Sequence, residues 1–314
     1  MNKRVIVIGG AGFIGSYLCN ELLKQNCFVI AYDNLMRGKK ENIKDSLLNP
    51  NFVFVKADAN DTKTLKRVIS DYKVDYIFHM AANSDIQASA ENPEIEFEST
   101  SKTTWSILST MRETGVKHLF FASTSAVYGE LVGDKPFKEE DTLNPISYYG
   151  SAKMASEAYI RSFSYMNDFD TLIFRFPNVI GPNLTHGVFF DFIKRLKDNP
   201  NELKVLGDGS QCKPYMHVKD LVDAILLLCW ENQGVNTYNV GVETATYVKT
   251  IAEMVVSEMK LPSCRIVYGK SNVGWKGDVP KFAYCLDKIH ATGWKASMTS
   301  DEAALATIKE ALKK

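Results

Sequence analysis

Val5-Ile6-Val7-Ile8-Gly9-Gly10-Ala11-Gly12-Phe13-Ile14-Gly15-Ser16 joins four β-branched residues to four glycines. A run of β-branched residues reads as a strand buried on both faces. The glycines satisfy two overlapping spacings, Gly10-x-Gly12-x-x-Gly15 and Gly9-x-x-Gly12-x-x-Gly15. Such a turn asks for glycine to bend tightly, to let backbone approach a pyrophosphate, and to let the next helix pack on the strand. The helix pattern that follows, Phe13–Gln25, aims its first N–H groups at the phosphates. The next apolar run, Phe28–Tyr32, ends in Asp33-Asn34, and Asp33 lies 18 residues after Gly15. An acid at that distance can accept from the adenosine ribose 2′-OH and repels a 2′-phosphate, which favours NAD over NADP. The plainer reading of Asp33 is a turn residue after a strand, and Arg37 stands close enough to complicate the preference.

Outward from this turn, short strand-like runs alternate with helical patterns. The strands are Arg4–Ile8, Phe28–Tyr32, Phe52–Lys56, Tyr76–His79, His118–Ala122 and Thr171–Arg175. The helices between them are Phe13–Gln25, Lys63–Tyr72 with Asp61 as N-cap, Glu94–Glu113 and Ser151–Met166. This alternation predicts an α/β fold, a Rossmann-type doubly wound parallel sheet. After Arg175, helices persist at Val188–Lys197, Val218–Glu231, Val248–Met259 and Ser300–Lys313, but the strands shorten and Gly/Pro/Asn loops take over. We therefore expect a nucleotide domain over 1–175, rejoined by 216–243. A smaller, irregular α/β substrate lobe is expected over 176–215 and 244–314.

The 314 residues are 45% hydrophobic and 24% charged, which suits an ordinary globular chain. Lys plus Arg and Asp plus Glu are 37 each, so there is no basic excess for nucleic acid. No run approaches the ~20 apolar residues of a membrane span, and the glycines interrupt any signal-peptide reading of the start. The six cysteines, Cys19, Cys27, Cys212, Cys229, Cys264 and Cys285, form no C-x-x-C pair. That spacing predicts no metal site, and reduced thiols in a cytoplasmic protein.

Tyr149-x-x-x-Lys153 places a phenol and an ammonium on one helix face, where the cation favours phenolate. Tyr215-x-x-x-Lys219 and Tyr284-x-x-x-Lys288 match the same spacing. Context separates them: Tyr149 follows Phe120-Phe121-Ala122-Ser123-Thr124, a strand that delivers hydroxyls at its C-terminal end, where open parallel sheets bind ligands. The other two lysines read as structural.

With Gly9 to Gly15, Asp33, Thr124 and Tyr149/Lys153 in hand, the chain resembles the extended short-chain dehydrogenase/reductase family. Within it, the likeness is to nucleotide-sugar epimerases and dehydratases of the UDP-glucose 4-epimerase type. It extends through Ala57-Asp58, His79-Met80-Ala81-Ala82, Arg175-Phe176-Pro177-Asn178-Val179-Ile180-Gly181-Pro182, Gly207-Asp208-Gly209-Ser210-Gln211 and Gly277-Asp278-Val279-Pro280. The resemblance implies NAD bound by Gly9, Gly12, Phe13, Ile14, Gly15, Asp33 and Asn34. Asp58, Ala59, Ala81, Ala82, Ser99, Phe176, Tyr149 and Lys153 complete the implied cofactor contacts. It implies Tyr149 as acid/base, Lys153 as ribose holder and tuner of Tyr149, and Thr124 as the residue that orders the sugar hydroxyl. A nucleoside-diphosphate sugar would then meet Ser84, Thr124, Ser125, Tyr149, Asn178, His186, Val188, Lys213, Trp275 and Asp278. His186 reads equally as a loop residue, and Trp275 either stacks on the ligand or packs.

Departures from the family pattern narrow the reaction. Dehydratases carry Asp-Glu after the strand-end Thr, whereas this chain has Ser125-Ala126. Neither residue is a useful acid or base near neutrality, which argues against a 4,6-dehydratase. The usual Gln-x-Arg is Gln211-Cys212-Lys213, which keeps the charge but loses the bidentate fork. Trp275-Lys276 displaces the usual Arg. Oxidation at the sugar C4 with net 4-epimerisation is the leading expectation. A net 4-dehydrogenase that releases the ketone, as with GDP-heptoses, is the alternative, and a non-catalytic NAD sensor is the reading from another class. A homodimer is expected through the helices near Glu94–Glu113 and Ser151–Met166. Apolar residues spread beyond one face there (Trp105, Ile107, Leu108, Met111, Met154, Tyr159, Ile160, Phe163), although burial within one chain explains them as well.

Overall fold

The apolar run before the glycines forms β1 (Arg4–Ile8), with Val5 to Ile8 almost fully buried. The following turn feeds α1 (Phe13–Lys24) and β2 (Phe28–Asp33). Then come β3 (Phe52–Lys56), α2 (Thr62–Tyr72), β4 (Tyr76–His79), α3 (Ile86–Glu91), α4 (Glu94–Glu96), α5 (Lys102–Thr114) and β5 (His118–Thr124). The chain continues with α6 (Tyr148–Asn167), β6 (Asp170–Phe176), β7 (Asn178–Ile180), α7 (Val188–Asp198), β8 (Glu202–Val205), β9 (Cys212–Lys213) and β10 (Tyr215–His217). It ends with α8 (Val218–Leu228), β11 (Val235–Asn239), β12 (Thr246–Tyr247), α9 (Val248–Glu258), β13 (Arg265–Tyr268), α10 (Asp287–His290) and α11 (Ser300–Leu312). This computed structural model describes residues 3–83, 86–131, 133, 135–184, 186–271, 279 and 282–313.

Seven strands form one sheet in the order β11-β6-β5-β4-β1-β2-β3, and β1 to β5 pair in parallel. The chain leaves β1 for β2 and β3 on one side, then returns for β4 and β5 on the other. The strand order therefore switches between β1 and β4, the place where a doubly wound sheet opens a ligand crevice at its C-terminal edge. The fold is the Rossmann type expected from the sequence.

Local chemistry sets the ends that matter. The Asp61 carboxylate accepts from Thr64 N at 3.2 Å and starts α2. Ser147 accepts from Gly150 N at 3.1 Å and starts α6 at Tyr148, so Tyr149 sits in the first helical turn, three residues ahead of the expected start. Strand β5 runs two residues past its expected end because Ser123 and Thr124 remain buried. The single helix expected over Glu94–Glu113 is broken: α4 is one turn, Phe97–Ser101 is a π-turn, and α5 resumes at Lys102. Such π-turns re-aim the side chains around them.

The chain divides into two compact units. The first, 1–127, 147–175 and 222–238, holds the sheet and a core that includes Ile6, Ile30, Leu65, Ile77, Ile107, Phe121 and Ile173. The second, 128–146, 176–221 and 239–314, has its own core around Phe189, Phe192, Leu203, Ile251 and Ile308. Residues 128–146 belong with the second unit, which departs from the expected boundary. Their ties explain it: Tyr128 stacks on Phe137 at 4.6 Å and donates to Asn239 Oδ1 at 2.7 Å, and Asn239 N donates to Glu139 at 2.8 Å. Short pairs, β10 with β7, β12 with β9 and β13 with β8, make up the strands of this unit.

Candidate active site

The glycine turn is closed by its own backbone. Gly9 N donates to Tyr32 O at 2.8 Å and Gly12 N donates to Gly9 O at 3.1 Å. Gly9 adopts φ +86°, a conformation that favours glycine. A Cβ on Gly15 would lie 2.1 Å from Gly9 O. No side chain caps α1 at Gly12, so the first-turn N–H groups, Phe13 and Ile14 among them, are left to a ligand. Behind the turn, Cys19 Sγ donates to Gly10 O at 3.8 Å.

Asp33 serves the turn after its strand. Its Oδ2 accepts from Ala11 N at 3.0 Å and its Oδ1 from Leu35 N at 2.7 Å, so it ties the glycine turn to the end of β2. Burial raises its carboxyl above the usual range, while bonds from Leu35, Ala11 and Gly12 N–H groups pull it back. Each oxygen keeps acceptor capacity for a ribose hydroxyl. Beside it, Asn34 Nδ2 donates to Asp58 Oδ2 at 2.9 Å, and Tyr32 OH to Asp58 O at 3.0 Å. Asp58 is exposed and Ala59 is buried after β3. Half-buried Ala81 and Ala82 follow β4, and a Cβ on Gly9 would meet Ala81 N at 2.8 Å. Arg37 Nη2 donates to Asn83 Oδ1 at 3.1 Å, directed at the loop after β4. This cradle, shaped so that side chains are excluded where a pyrophosphate must approach, fits a dinucleotide.

Thr124 ends β5 and is nearly buried, and its Oγ1 accepts from Ala126 N at 3.2 Å. Half-buried Ser125 begins the 3-10 turn Ser125–Val127. Tyr149 is half-buried in the first turn of α6. One turn on, Lys153 is 1% exposed; its Nζ donates to Ala122 O at 2.6 Å and lies 5.9 Å from the centre of the Tyr149 ring. Burial lowers the Lys153 ammonium to about 8, against upward pulls from Glu96 and Glu157. Burial also pushes the Tyr149 phenol well up; Glu96 adds to this and Thr124 opposes it. Here the ammonium bonds backbone, and burial outweighs the other influences on the phenol.

Several residues around this pair escaped the sequence reading. Glu157, one turn past Lys153, accepts from Arg175 Nε at 3.0 Å and Nη2 at 2.7 Å, and from Ser123 Oγ at 2.5 Å. Glu96 is 2% exposed and accepts from Asn83 Nδ2 at 2.8 Å and Thr100 Oγ1 at 3.0 Å. Ser99, named from resemblance, is half-buried in the π-turn, and its neighbour Thr100 is the residue bonded to Glu96. His79 is buried, bonds Thr104 at 3.0 Å, and is held neutral by desolvation.

Phe176, Asn178, His186, Val188 and Lys213 belong to the second unit. Phe176 closes β6 and is nearly buried. Asn178 is exposed at the start of β7 and pairs in register with Tyr215. His186 is half-buried ahead of α7, and Val188 opens α7 against the second core. Lys213 lies on β9 opposite Thr246. Ser84, Trp275 and Asp278 lie outside the described residues. Of the decoy tyrosines, Tyr215 is buried against Phe189 and Tyr284 lies against Tyr128 and Phe282, both within the second unit. Among the described residues no group of His, Cys, Asp and Glu is placed to hold a metal, and no helix is long and apolar enough to cross a membrane.

Comparison with known proteins agrees with this geometry. The UDP-glucose 4-epimerase of Mycolicibacterium smegmatis is 32% identical over 250 residues, 77% of this chain and 79% of that one. The structure of UDP-glucose 4-epimerase with UDP-glucose from Thermotoga maritima superposes with TM-score 0.89 at 30% identity over 99% of both chains. That of the Thermus thermophilus UDP-glucose 4-epimerase complex with NAD gives 0.87 at 29%, over 98% of this chain and 99% of that one. The cofactor is NAD. Residues 5–241, from the first buried strand to the end of the sheet, match the sequence profile of the NAD dependent epimerase/dehydratase family, and the chain belongs to that family.

Proposed function

We propose that this chain inverts C4 of the sugar in a nucleoside-diphosphate sugar, with Tyr149, Lys153 and Thr124 as its catalytic residues. One observation carries the reading: buried Lys153 lies one turn after Tyr149 with its Nζ 5.9 Å from that ring, Thr124 ends β5, and the turn after it is Ser125-Ala126-Val127, without a carboxylate. The Tyr149–Lys153 pair suits removal of a hydroxyl proton; the turn leaves a dehydratase without its acid and base. NAD supplies the hydride acceptor and the positive nicotinamide ring. Thr124 orders the sugar C4 hydroxyl, and Tyr149 takes its proton as hydride leaves C4. Lys153, held by Ala122 O, adds a fixed positive charge on the same helix face and a donor for the cofactor ribose. Tyr149 returns the proton once hydride is delivered to the opposite face of the ketone.

Substrate selection belongs to Asn178, His186, Val188 and Lys213 in this reading, with Lys213 as the diphosphate cation and Ser84, Trp275 and Asp278 completing the set. The chain acts as a homodimer. On the first unit, Trp105 of α5 is half exposed and meets Tyr159 and Phe163 of α6 edge-on at 5.3 and 5.1 Å, an aromatic patch shared by both helices. Ile107, Leu108, Met111 and Ile160 are buried in the core of their own unit and do not contribute to it. The free thiols Cys19, Cys27 and Cys229 are buried, which suits a cytoplasmic enzyme.

The test mixes the NAD-loaded protein with UDP-, GDP-, CDP- and dTDP-sugars and follows absorbance at 340 nm. Accumulation of the C4 epimer with no lasting NADH supports the proposal. Stoichiometric NADH with a free ketone makes the protein a 4-dehydrogenase instead, and silence with every sugar refutes this substrate class.

A further inference from the structure

Tyr149, Lys153 and Glu157 recur every four residues along α6, so the three side chains follow one helix face. The last two reach β5 at adjacent residues. Lys153 Nζ donates to Ala122 O at 2.6 Å, and Glu157 Oε1 accepts from Ser123 Oγ at 2.5 Å. The next residue is Thr124, which ends the strand. From β6, which lies beside β5 in the sheet, Arg175 holds the same carboxylate on both oxygens. Its Nε donates to Oε1 at 3.0 Å and its Nη2 to Oε2 at 2.7 Å. Ser123, Lys153, Glu157 and Arg175 are each no more than 2% exposed, and all belong to the first unit.

Stability alone is a poor reason for this arrangement. A buried ion pair adds little net stability, because desolvation of both charges offsets their attraction, and apolar residues of similar volume often serve as well. What the ion pair supplies is direction. A carboxylate gripped on both oxygens by the planar guanidinium fork does not turn, so its further bond holds the Ser123 hydroxyl at one place. At 2.5 Å that bond is of the short, charge-assisted kind. Ser123 is thereby fixed between the carbonyl that anchors Lys153 and the residue that carries the Thr124 hydroxyl. We infer that Glu157 is a positioning residue for the reaction: held by Arg175 and acting through Ser123, it sets the end of β5 against α6, and so sets Thr124 and the Lys153 anchor relative to Tyr149. The inference rests on the catalytic assignment above. Misplacement of a reacting group by about 1 Å costs up to about 100-fold in rate, which is the reason to fix this register with charged bonds.

The test uses Ser123→Ala, which removes one hydroxyl and leaves the Arg175–Glu157 contact in place. One readout needs no turnover. The end of the Lys153 side chain lies over the Phe121 ring of β5, with Nζ 4.6 Å from its centre. In NAD-loaded protein labelled with 13Cε-lysine, that ring current sets the Lys153 ε-methylene NMR signal apart from those of exposed lysines, and the signal is assigned by its loss in Lys153→Arg. Ser123→Ala is expected to move it toward the exposed-lysine position. The same variant is expected to lower kcat about tenfold with KM for the sugar nucleotide within about twofold. Replacing the pair, Glu157→Met with Arg175→Met, is expected to keep the urea midpoint near that of the parent and to give the same signal shift and loss of kcat. An unmoved Lys153 signal in Ser123→Ala overturns the inference, and so does an unchanged kcat. A contact that served stability alone would give both, with only the urea midpoint lowered. Ser123→Ala decides the matter whether or not the apolar pair folds. If no sugar turns over while the signal moves as expected, the catalytic assignment falls and the positioning of Lys153 stands.

Discussion

Substitution of Gly15 by Ala puts the dinucleotide cradle to a quantitative test. The added Cβ would lie 2.1 Å from Gly9 O, 2.9 Å from Gly9 C and 3.0 Å from Gly10 Cα. All three are backbone atoms, so no rotamer change relieves the contact. The turn must open by about 1 Å to restore van der Waals separation in an interior this dense. Overpacking of this kind costs about 1–3 kcal/mol. It falls on the turn that presents its N–H groups to the pyrophosphate, so NAD dissociation is expected to rise about 5- to 150-fold. Calorimetric titration of NAD into nucleotide-stripped protein measures this. Gly115→Ala is the control: Gly115 ends α5 at φ +79° with nothing within 4 Å of its added Cβ. It costs stability of about 1 kcal/mol through its backbone conformation and leaves NAD affinity unchanged. Should Gly15→Ala bind NAD within about threefold of the parent, the cradle reading is wrong.

Four further outcomes follow from the same geometry. Tyr149→Phe lowers turnover by about 10²–10⁴-fold while NAD affinity, measured by calorimetry, stays within a few-fold; retained turnover removes Tyr149 from the mechanism. Lys153→Met reports the cost of burying the ammonium. The folded Lys153 releases its proton near 8 rather than at the ordinary 10.5, so the penalty is complete below pH 8 and fades as pH rises toward 10.5. Relative to the parent, the variant's stability in urea should therefore fall by roughly 3 kcal/mol between pH 8 and 10.5, and a pH-independent difference contradicts the assignment. Arg175→Met strands buried Glu157 and is expected to cost about 3–5 kcal/mol in urea unfolding, whereas Arg175→Met with Glu157→Met costs less than the single variant; additive losses would show that the pair does not act as a unit. Asp33→Ser loses the acceptors for Ala11 N and Leu35 N and removes the charge that repels a 2′-phosphate, so the ratio of NADP to NAD dissociation constants should narrow.

Much of this protein is written in short windows of its chain. Val5–Ile8, the glycine spacing and Asp33 predict strand, turn and helix because each depends on neighbours a few residues away: β-branching, left-handed backbone at Gly9, and a carboxylate at the next strand's end. The same is true of the Asp61 cap, and of Tyr149 and Lys153, one helical turn apart on one face. What local windows could not supply is which distant groups surround that face. Glu96 reads in sequence as one acid among several near the start of a helical run. Only the break of that run into α4, a π-turn and α5 buries it beside Asn83 and Thr100. Arg175 and Glu157, 18 residues apart, meet because β6 packs beside β5 under α6. Residues 128–146 follow a sheet strand yet belong to the second unit, held by Asn239, a hundred residues on. Backbone preference and periodicity act over one or two turns of chain, whereas desolvation and charge pairing act through space. Desolvation is what pushes both the Tyr149 phenol and the Lys153 ammonium toward their neutral forms, which no local window of sequence records.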